Sequence, residues 1–562
     1  MVRFYSVLAI LAAATCVGAE PLFRAEFRPG LPGWELSNNG NLLSLDVREF
    51  EGEKALVVKR AKPSSTGDTA WGLVGPHFPV SPGDGVRIVV RSRGRGDARL
   101  AFPLGFGNRY NSCVEWFDAK GKPVGARLGF GYDVSCSEWR TRRFPGIVPQ
   151  NATRARLSLG VDNPNFGEGD VLAVSSVTVE RDSPPALAAH RTSLRDDGVV
   201  LFDGKPFFPI GLYGIKKCAA NGMSFDKALG DVKAAGFNTV QSYFATSADA
   251  LSEFLDLADK HGLKVLVPSQ PRIDGPTASS GNVSANRDHP AVLGWYLADD
   301  TSGHHSPDSL AYRRRYVRYC DTDHITVQTD TPVISEMNRY APYVGITEAF
   351  LPQIYYFGKF VPDGDGIAYV ARDMRAVRAA ICEAGNPVRS VWPILQHFRG
   401  WGWKRFPTAA ELRASVYAAI ALGARGVMIY TYCGANEKNE GIVSSPERWA
   451  EAAAVVGELA ALSGDLTSRD AARQPVPVVL SGATTDALCQ HSVCALLKSG
   501  PEPLLIAVNA ANEPVRVRFG LACGAKEMFE RRVIAAGEGL VDDFAPLGVH
   551  VYRLKPKERK TQ

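Results

Sequence analysis

The chain has 562 residues, of which 45% are hydrophobic and 22% are charged, and its formal net charge is +5. This length exceeds that of one ordinary domain and predicts about three. A charge excess so small, spread over so long a chain, indicates neither a nucleic-acid partner nor an anionic membrane surface.

Residues 1–19 are predicted to be a secretory signal peptide. Arg3 precedes the apolar stretch 7–17, and the small residues Gly18 and Ala19 precede Glu20. The stretch is shorter than the roughly 20 residues of a membrane span, and no later segment reaches that length. We therefore expect a secreted or periplasmic protein without a membrane span. Lipid anchoring through Cys16 is not expected, because the preceding residues do not fit that motif.

Nine cysteines follow the signal peptide, too few for a disulfide scaffold in a chain of this length. Two pairs either form disulfide bonds or remain free buried thiols, namely Cys113 with Cys136, and Cys489 with Cys494. No Cys or His spacing fits zinc, and the dipeptide His304-His305 lacks matching carboxylates. We expect neither a metal site nor a cofactor.

Residues 20–185 predict a β-sandwich of the jelly-roll type. Alternating stretches such as GVRIVVRS and RARLSLGV lie between Gly, Pro and Asn turns, and no helical period occurs. The region resembles carbohydrate-binding modules, which implies aromatic side chains that stack on sugar rings, with a core position as the alternative for each. The candidates are Trp71, Tyr110, Trp116, Tyr132 and Trp139.

Residues 186–472 predict a (β/α)8 TIM barrel, because eight short apolar strands alternate with amphipathic segments. The predicted strands are 208–214, 239–244, 264–268, 292–298, 331–336, 350–357, 390–396 and 426–432. Residues 247–262 show helical spacing up to Gly262, a natural C-cap. Thr408 and Glu411 predict a capping box at the start of another helix.

Residues 473–555 return to short strands such as PVPVVL and PLLIAVNA. They predict a small C-terminal β-sandwich, followed by a charged tail at 556–562.

The segment HPAVLGWYLADD, residues 289–300, carries the clearest functional signal. Its apolar run predicts a strand buried on both faces, as in a parallel sheet covered by helices. Asp299 and Asp300 follow at its C-terminal end, where polar residues of such barrels serve the active site. Since side chains alternate along a strand, we expect Asp300 to point into the barrel and Asp299 to support it, although a bulge would reverse this.

Residues 201–432 resemble the secreted (β/α)8 glycoside hydrolases of the retaining clan. The resemblance rests on LFDGKPFFPIGLYG, HPAVLGWYLADD and ALGARGVMIYTY. It implies an acid/base carboxylate after strand four, where we place Asp300 as general acid beside Asp299. It also implies a second catalytic carboxylate after strand seven, but Gln396 stands there, and an amide cannot form a glycosyl-enzyme.

Three explanations of this departure stay open. In the first, Glu336 after strand five or Glu437 after strand eight supplies the nucleophile or base. In the second, the adjacent carboxylates act with an acetamido group of the substrate, one orienting the amide and the other protonating the leaving oxygen. In the third, the barrel binds glycans without cutting them.

The remaining candidates are aromatic or polar side chains near strand ends. Aromatic rings stack on sugar faces, and polar groups bind hydroxyls. The substrate-binding candidates are Tyr213, Gln353, Tyr355, Gln396, His397, Trp401, Trp403, Tyr432 and Glu437. The sequence thus predicts a glycoside hydrolase acting on an extracellular poly- or oligosaccharide, with a non-catalytic glycan-binding protein as the alternative.

Overall fold

The structure is a computed structural model. It describes residues 21–37, 43–60, 72–95, 111–124, 127–130, 138–161, 169, 171–182, 187–215, 223–241, 248–269, 283, 286–330, 342–362, 364–383, 389–434, 438–482 and 492–555. The described residues form two compact units, one up to Asp182 and the other from Leu187 onward.

The N-terminal unit consists of two antiparallel sheets. Its strands are β1 (Phe23–Arg24), β2 (Glu35–Ser37), β3 (Leu43–Phe50), β4 (Glu53–Arg60), β5 (Gly72–Pro79), β6 (Gly85–Arg95), β7 (Asn111–Phe117), β8 (Leu128–Gly129), β9 (Arg140–Ile147), β10 (Arg154–Val161) and β11 (Val171–Arg181). One sheet has the order β3-β4-β11-β6-β9, with β1 paired to β11, and the other has the order β2-β5-β10-β7-β8. Val86, Ile88 and Val90 alternate along β6 and are fully buried, which is the period of a strand with one face in a core.

Two of the predicted sugar-stacking aromatics of this unit lie among the described residues. Trp116 is 1% exposed and belongs to the core, which is the alternative that the sequence offered for each of these side chains. Trp139 is half-buried, and its Nε1–H donates to the Glu51 carbonyl at 3.1 Å. Trp71, Tyr110 and Tyr132 lie outside the described residues.

The second unit contains a closed barrel of eight parallel strands, the seventh of which is in two parts. A small antiparallel sheet precedes it, made of β12 (Thr192–Leu194), β13 (Val200–Phe202) and β14 (Lys205–Phe207). The barrel strands are β15 (Ile210–Leu212), β16 (Thr239–Gln241), β17 (Lys264–Pro268), β18 (Val292–Ala298), β19 (Ile325–Asp330), β20 (Ala349–Ile354), β21 (Ser390–Val391) with β22 (Ile394–Gln396), and β23 (Val427–Tyr430). The barrel closes where β15 pairs with β23, with Ile210 opposite Val427.

The helices of this unit are α1 (Phe225–Ala234), α2 (Ala248–Lys260), α3 (Thr301–His304), α4 (Pro307–Cys320), α5 (Gly366–Glu383), α6 (Ala409–Ala421), α7 (Pro446–Ala461) and α8 (Ser463–Leu466), with a 3-10 turn at Ile442–Ser444. The predicted capping box is confirmed, because Thr408 Oγ1 accepts from Glu411 N and the Glu411 carboxylate accepts from Thr408 N. In the described part of the chain, no helix is long and apolar enough to cross a membrane.

The fifth barrel strand corrects the sequence-based prediction. The pattern placed it at 331–336, whereas the strand that pairs with β18 and β20 is β19. Four polar residues of β19, Thr326, Gln328, Thr329 and Asp330, are at most 2% exposed. A search for a continuous apolar run passes over such a strand, because its polar groups are paired only in the folded barrel.

The small sheet β12–β14 closes the N-terminal end of the barrel. Val200 belongs to the barrel core, with Leu194 and Phe202 packed against it. Thr192 Oγ1 accepts a hydrogen bond of 2.8 Å from the Ile325 amide at the start of β19. With this end filled, the opposite end, where the strands terminate, is the one left for a binding site.

The C-terminal residues form two further antiparallel sheets. The strands are β24 (Pro477–Ser481), β25 (Val493–Lys498), β26 (Leu504–Asn509), β27 (Val515–Phe519), β28 (Gly524–Glu527), β29 (Val533–Ile534), β30 (Leu540–Phe544) and β31 (Val549–Lys555). Their orders are β24-β27-β30 and β25-β26-β31-β28-β29. Helix α6 packs against β25, β26 and β31, and Arg413 on α6 donates to the Val549 carbonyl at 3.0 Å.

Two cysteines of the proposed pairs are described, and both are free buried thiols. They are Cys113 in the N-terminal unit and Cys494 on β25. Burial raises the pKa of the Cys113 thiol to about 12. Their proposed partners, Cys136 and Cys489, lie outside the described residues.

Candidate active site

A pocket with a cavity volume of about 260 Å³ opens where the barrel strands end. Strands one, four, six, seven and eight, or the loops that follow them, supply its lining. The lining residues are Tyr213, Gly214, Asp299, Asp300, Gln353, Tyr355, Ile394, Phe398, Trp401, Trp403 and Tyr430. It combines two carboxylates and an amide with a wall of aromatic rings.

Asp300 has a strained backbone that directs its side chain toward the pocket. Its φ of 43° and ψ of 50° lie in the left-handed region, which non-glycine residues rarely adopt. Asp300 is also the N-cap residue of α3, yet its carboxylate makes no capping hydrogen bond. Asp330 does this instead, accepting from Ser302 N at 3.0 Å and from Ser302 Oγ at 2.9 Å. The Asp300 carboxylate thus does not cap α3, and the residue lines the pocket.

Both carboxylates of the pair line the pocket, although simple alternation along β18 would place them on opposite faces. The register of β18 shifts twice, between Val292 and Gly294 against β17 and between Tyr296 and Ala298 against β19. Each shift acts as a bulge, which re-aims the side chains that follow. The bulge that the sequence left open is therefore present, and it brings Asp299 and Asp300 to one site.

Gln353, near the end of β20, joins the two carboxylates. Its Nε2 lies 2.9 Å from Asp300 Oδ1, 3.3 Å from Asp299 Oδ1 and 3.0 Å from Thr329 Oγ1. Two amide hydrogens thus serve three acceptors. The Tyr296 hydroxyl also donates to Asp299 Oδ1 at 2.8 Å. These hydrogen bonds fix the orientation of the Asp299 and Asp300 carboxylates.

Three tyrosines, Tyr213, Tyr355 and Tyr430, form one side of the pocket. Burial raises the pKa of each hydroxyl, for Tyr430 to about 12, and the negative charge of Asp299 adds to the effect in all three. The rings of Tyr355 and Tyr430 lie 5.8 Å apart. The hydroxyls therefore stay protonated at neutral pH and can donate to a bound ligand.

Trp401 lies at the tip of a tight turn at the pocket rim. Gly400 and Trp403 exchange two backbone hydrogen bonds of 2.8 and 2.9 Å, so that Trp401 and Gly402 form a two-residue tip. Both tip residues have positive φ, 50° and 94°, as in a type I′ turn, which favours Asn and Gly. An indole in this position, 38% exposed, is unfavourable for stability. This makes it a candidate for ligand contact.

Trp403 is held more firmly than Trp401. Its Nε1–H donates to the Tyr355 carbonyl at 3.1 Å, and its ring lies edge-on to Phe398. The Lys359 ammonium lies 3.8 Å from the centre of the Trp403 ring, close enough for a cation–π interaction. The two indoles thus differ, one fixed in the wall and one presented at the rim.

Gln396, where the resemblance implies a nucleophilic carboxylate, lies outside the pocket lining. It is 2% exposed, its Oε1 accepts from Phe357 N at 2.9 Å, and its Nε2 donates to the Phe357 carbonyl at 3.0 Å. The amide thus pairs with the backbone of the loop after β20 as a strand neighbour would. Gln396 therefore forms hydrogen bonds inside the barrel wall and does not line the pocket.

His397 and Tyr432 also lie beneath the surface. His397 is fully buried and its Nε2 lies 3.1 Å from the Arg448 carbonyl, while burial lowers the pKa of its ring to about 4. Tyr432 is 1% exposed, with its hydroxyl on Met223 Sδ. The eighth strand ends at Tyr430, two residues earlier than predicted, so Tyr430 takes the pocket position that the sequence assigned to Tyr432.

Of the other predicted site residues, the lining includes Tyr213, Asp299, Asp300, Gln353, Tyr355, Trp401 and Trp403. Glu336 and Glu437 lie outside the described residues. Sequence reasoning missed Phe398 and Tyr430. Both are aromatic residues close to strand ends. Core residues share this pattern, so the sequence alone does not single them out.

No family model matches the sequence, and no curated protein sequence matches it. Among solved structures, the chain is similar to a glycoside hydrolase family 5 protein from Bacteroides vulgatus, with 13% identity and a TM-score of 0.45 over 66% of this chain and 95% of that one. A β-galactosidase from Bacillus circulans sp. alkalophilus gives 8% identity and a TM-score of 0.44 over 62% and 99%. A family 42 β-galactosidase from G. stearothermophilus gives 9% and 0.43 over 62% and 98%. At such distances, the function of this chain is inferred from its own site.

Proposed function

We propose that the protein is a glycoside hydrolase acting on a poly- or oligosaccharide, with Asp300 as the general acid. The observation that carries this proposal is the acidic pair after barrel strand four, facing a pocket walled by aromatic rings. Carboxylates transfer the proton that glycosidic cleavage requires, and aromatic rings stack on the apolar faces of sugars.

In the proposed reaction, the bond between the anomeric carbon and the glycosidic oxygen breaks. Asp300 gives its proton to the leaving oxygen, and water finally supplies the hydroxyl at the anomeric carbon. Positive charge develops on the sugar ring in the transition state, and the neighbouring carboxylate of Asp299 stabilises it. Gln353 and Tyr296 act as positioning residues, because their hydrogen bonds hold the pair.

The second catalytic group follows one of two routes. Asp299 and Asp300 are the only carboxylates among the described residues that line the pocket. Either Glu336 or Glu437, from the parts of the chain not described, supplies the nucleophile or base, or an acetamido group of the substrate does so with Asp299 orienting it. Matched aryl glycosides with and without a 2-acetamido group separate the two routes.

Reducing-end release from a panel of plant, algal and mucin-type polysaccharides tests the function. Wild type is compared with Asp300→Asn, Asp299→Asn and, as a matched control, Asp308→Asn at an exposed position of α4. We expect Asp300→Asn to lose on the order of 10²- to 10⁴-fold in turnover while it retains sugar binding. Full activity of Asp300→Asn would exclude this residue as the acid.

A non-catalytic glycan-binding protein is the second candidate, favoured by the lack of a third carboxylate in the described lining. No release by wild type from any glycan, together with binding to one of them, would establish that function. In that case, loss of either Asp would change affinity only.

We further propose a secreted or periplasmic setting, with residues 1–19 as a cleaved signal peptide and the N-terminal unit as a jelly-roll-like, carbohydrate-binding module. The support is the Arg3-containing leader and the two antiparallel sheets of that unit. N-terminal sequencing of the exported protein should begin at Glu20. A sequence beginning at the initiator methionine would contradict it.

A further inference from the structure

A second cavity, of about 440 Å³, lies away from the pocket, where the outer barrel helices meet the C-terminal β-sheets. Arg375 and Arg378 line it from α5, and Gly423 lines it from the loop after α6. Asp470 and the β25 residue Ala495 also line this cavity.

Among the described residues that line this cavity, Asp470 is the only acidic one, and it already has two cationic partners. Asp470 accepts from Arg425 at 2.7 Å and from Lys498 at 2.9 Å, and both of these cations are buried. Two cations thus share one carboxylate at this edge of the cavity. Asp470 thus already serves two buried cations, and its charge acts on Arg378 only from beyond hydrogen-bond distance.

Arg375 and Arg378 are the further arginines. In the part of the chain that the structure describes, neither forms a salt bridge. Arg378 Nη1 donates to the Gly423 carbonyl at 3.2 Å, and Arg375 Nη2 approaches Cys494 Sγ at 3.7 Å. Arg375 Nη1 is buried without a hydrogen-bond partner. Arg378 is exposed and Arg375 is half-buried, so within the described residues both guanidinium groups keep donors that no carboxylate accepts.

The local backbone makes room for one of these guanidinium groups. Gly423 has a φ of 93°, and a Cβ on it would lie 2.6 Å from Arg378 Nη1. The Arg378 side chain is exposed, while partial desolvation and then the charge of Arg425 lower the pKa of its guanidinium. An anion in the cavity would lie beside two guanidinium groups that form no salt bridge with the described carboxylates.

We propose that this cavity binds an oxyanion, namely a phosphate, sulfate or carboxylate group, held by Arg375 and Arg378. Planar guanidinium groups match these anions with paired hydrogen bonds. The site joins α5 of the barrel to β25 of the C-terminal sheets, so that binding stabilises the contact between them. It is independent of the proposed glycosidase activity.

The test measures thermal unfolding of the full chain, and calorimetric binding, in sodium phosphate and sodium sulfate against sodium chloride at matched ionic strength. We expect phosphate or sulfate to raise the Tm of wild type beyond chloride. Arg375→Met/Arg378→Met should lose this extra increase and bind at least tenfold more weakly. Arg516→Met, at an exposed position of β27, is the matched control and should respond as wild type does.

Arg378→Lys serves as a conservative variant, because it keeps the charge but not the paired hydrogen bonds, and it should show intermediate affinity. A sulfated disaccharide, compared with free sulfate, identifies the source of the anion. An equal response to phosphate in wild type and in both arginine variants would overturn the proposal, as would no response of wild type beyond chloride.

Discussion

At the scale of single residues, Trp401 combines an unfavourable backbone conformation with an exposed indole. Its left-handed backbone suits Asn or Gly, whereas its indole lies at the rim of the pocket. We expect Trp401→Asn to raise the free energy of unfolding by about 1 kcal/mol, since backbone strain of this kind costs roughly 1–3 kcal/mol. The same change should weaken glycan binding, because the stacking surface is lost.

Urea unfolding and affinity electrophoresis measure the two effects of this substitution. Leu547→Asn is the matched control, because Leu547 also has a positive φ, 56°, but lies in the turn between β30 and β31. It should gain stability without any change in glycan affinity. Unchanged affinity in Trp401→Asn would remove Trp401 from the binding site.

His397 predicts a pH dependence of stability. Burial lowers the pKa of its ring from 6.5 to about 4 in the folded protein. Between these values the unfolded chain binds the proton and the folded chain does not, so stability falls as the pH falls through this window. From pH 7 to pH 5, His397 should account for a loss of about 2 kcal/mol.

Urea unfolding at both pH values, for wild type and His397→Gln, measures this contribution. The glutamine amide can still donate to the Arg448 carbonyl while it carries no titratable group. We expect the difference between pH 7 and pH 5 to shrink in the variant. The same difference in wild type and His397→Gln would contradict it, and His304→Gln, at an exposed position, serves as the control.

At the scale of elements, the start of α6 depends on its capping box. Thr408→Ala removes the acceptor for Glu411 N and leaves the first turn with an unpaired donor. We expect a loss of about 1 kcal/mol in the free energy of unfolding. Glu411 also pairs with Arg405 at 2.7 and 2.9 Å, so Thr408→Ser, which keeps the cap, is the appropriate control. A stability of Thr408→Ala equal to that of the control would show that the cap contributes nothing.

Local signals explain which elements the sequence could predict. The helix ends at Thr408 and Gly262 depend on neighbouring residues alone, and both were found. Strand β19 was missed because Gln328 and Asp330 are paired by distant groups, such as the Tyr343 carbonyl and Ser302, which a local pattern does not include. The register shifts of β18 are likewise tertiary, so the shared orientation of the acidic pair could not be read from alternation.

The same reasoning applies to the pocket. The rule that polar or aromatic residues near the ends of barrel strands form the site brought together Asp300, Gln353 and Trp401, which do line one cavity. It failed to separate Tyr430 from Tyr432, because the choice depends on where β23 ends. Gln396 lies at the strand end, as the rule requires, but its side chain is hydrogen-bonded to the backbone of Phe357. Its position in the sequence does not reveal this partner.

At the scale of the whole molecule, α6 is buried on nearly all sides. Ten of its thirteen residues are buried, including Leu412, Val416 and Ile420. A helix with apolar residues around its circumference needs a cover on its outer face, and the C-terminal sheets supply it. The barrel and these sheets therefore depend on each other for stability.

A chain ending at residue 472 tests this dependence. We expect it to aggregate or to unfold at a lower temperature than the full chain, because the outer face of α6 becomes exposed. Light scattering and thermal unfolding of the two chains provide the comparison. A monomeric truncated chain with the Tm of wild type would show that the cover is dispensable.

The pairing of the first and last strands also determines how early the barrel can close during synthesis. The first and last strands pair directly, yet more than 200 residues separate them in the sequence. At typical rates of synthesis, roughly 10–40 s pass between the emergence of β15 and that of β23 from the ribosome. During this interval the partly built sheet has two open edges that can pair with other chains. Until β23 pairs with β15, both edges of the sheet stay open to other chains, and the pocket is incomplete.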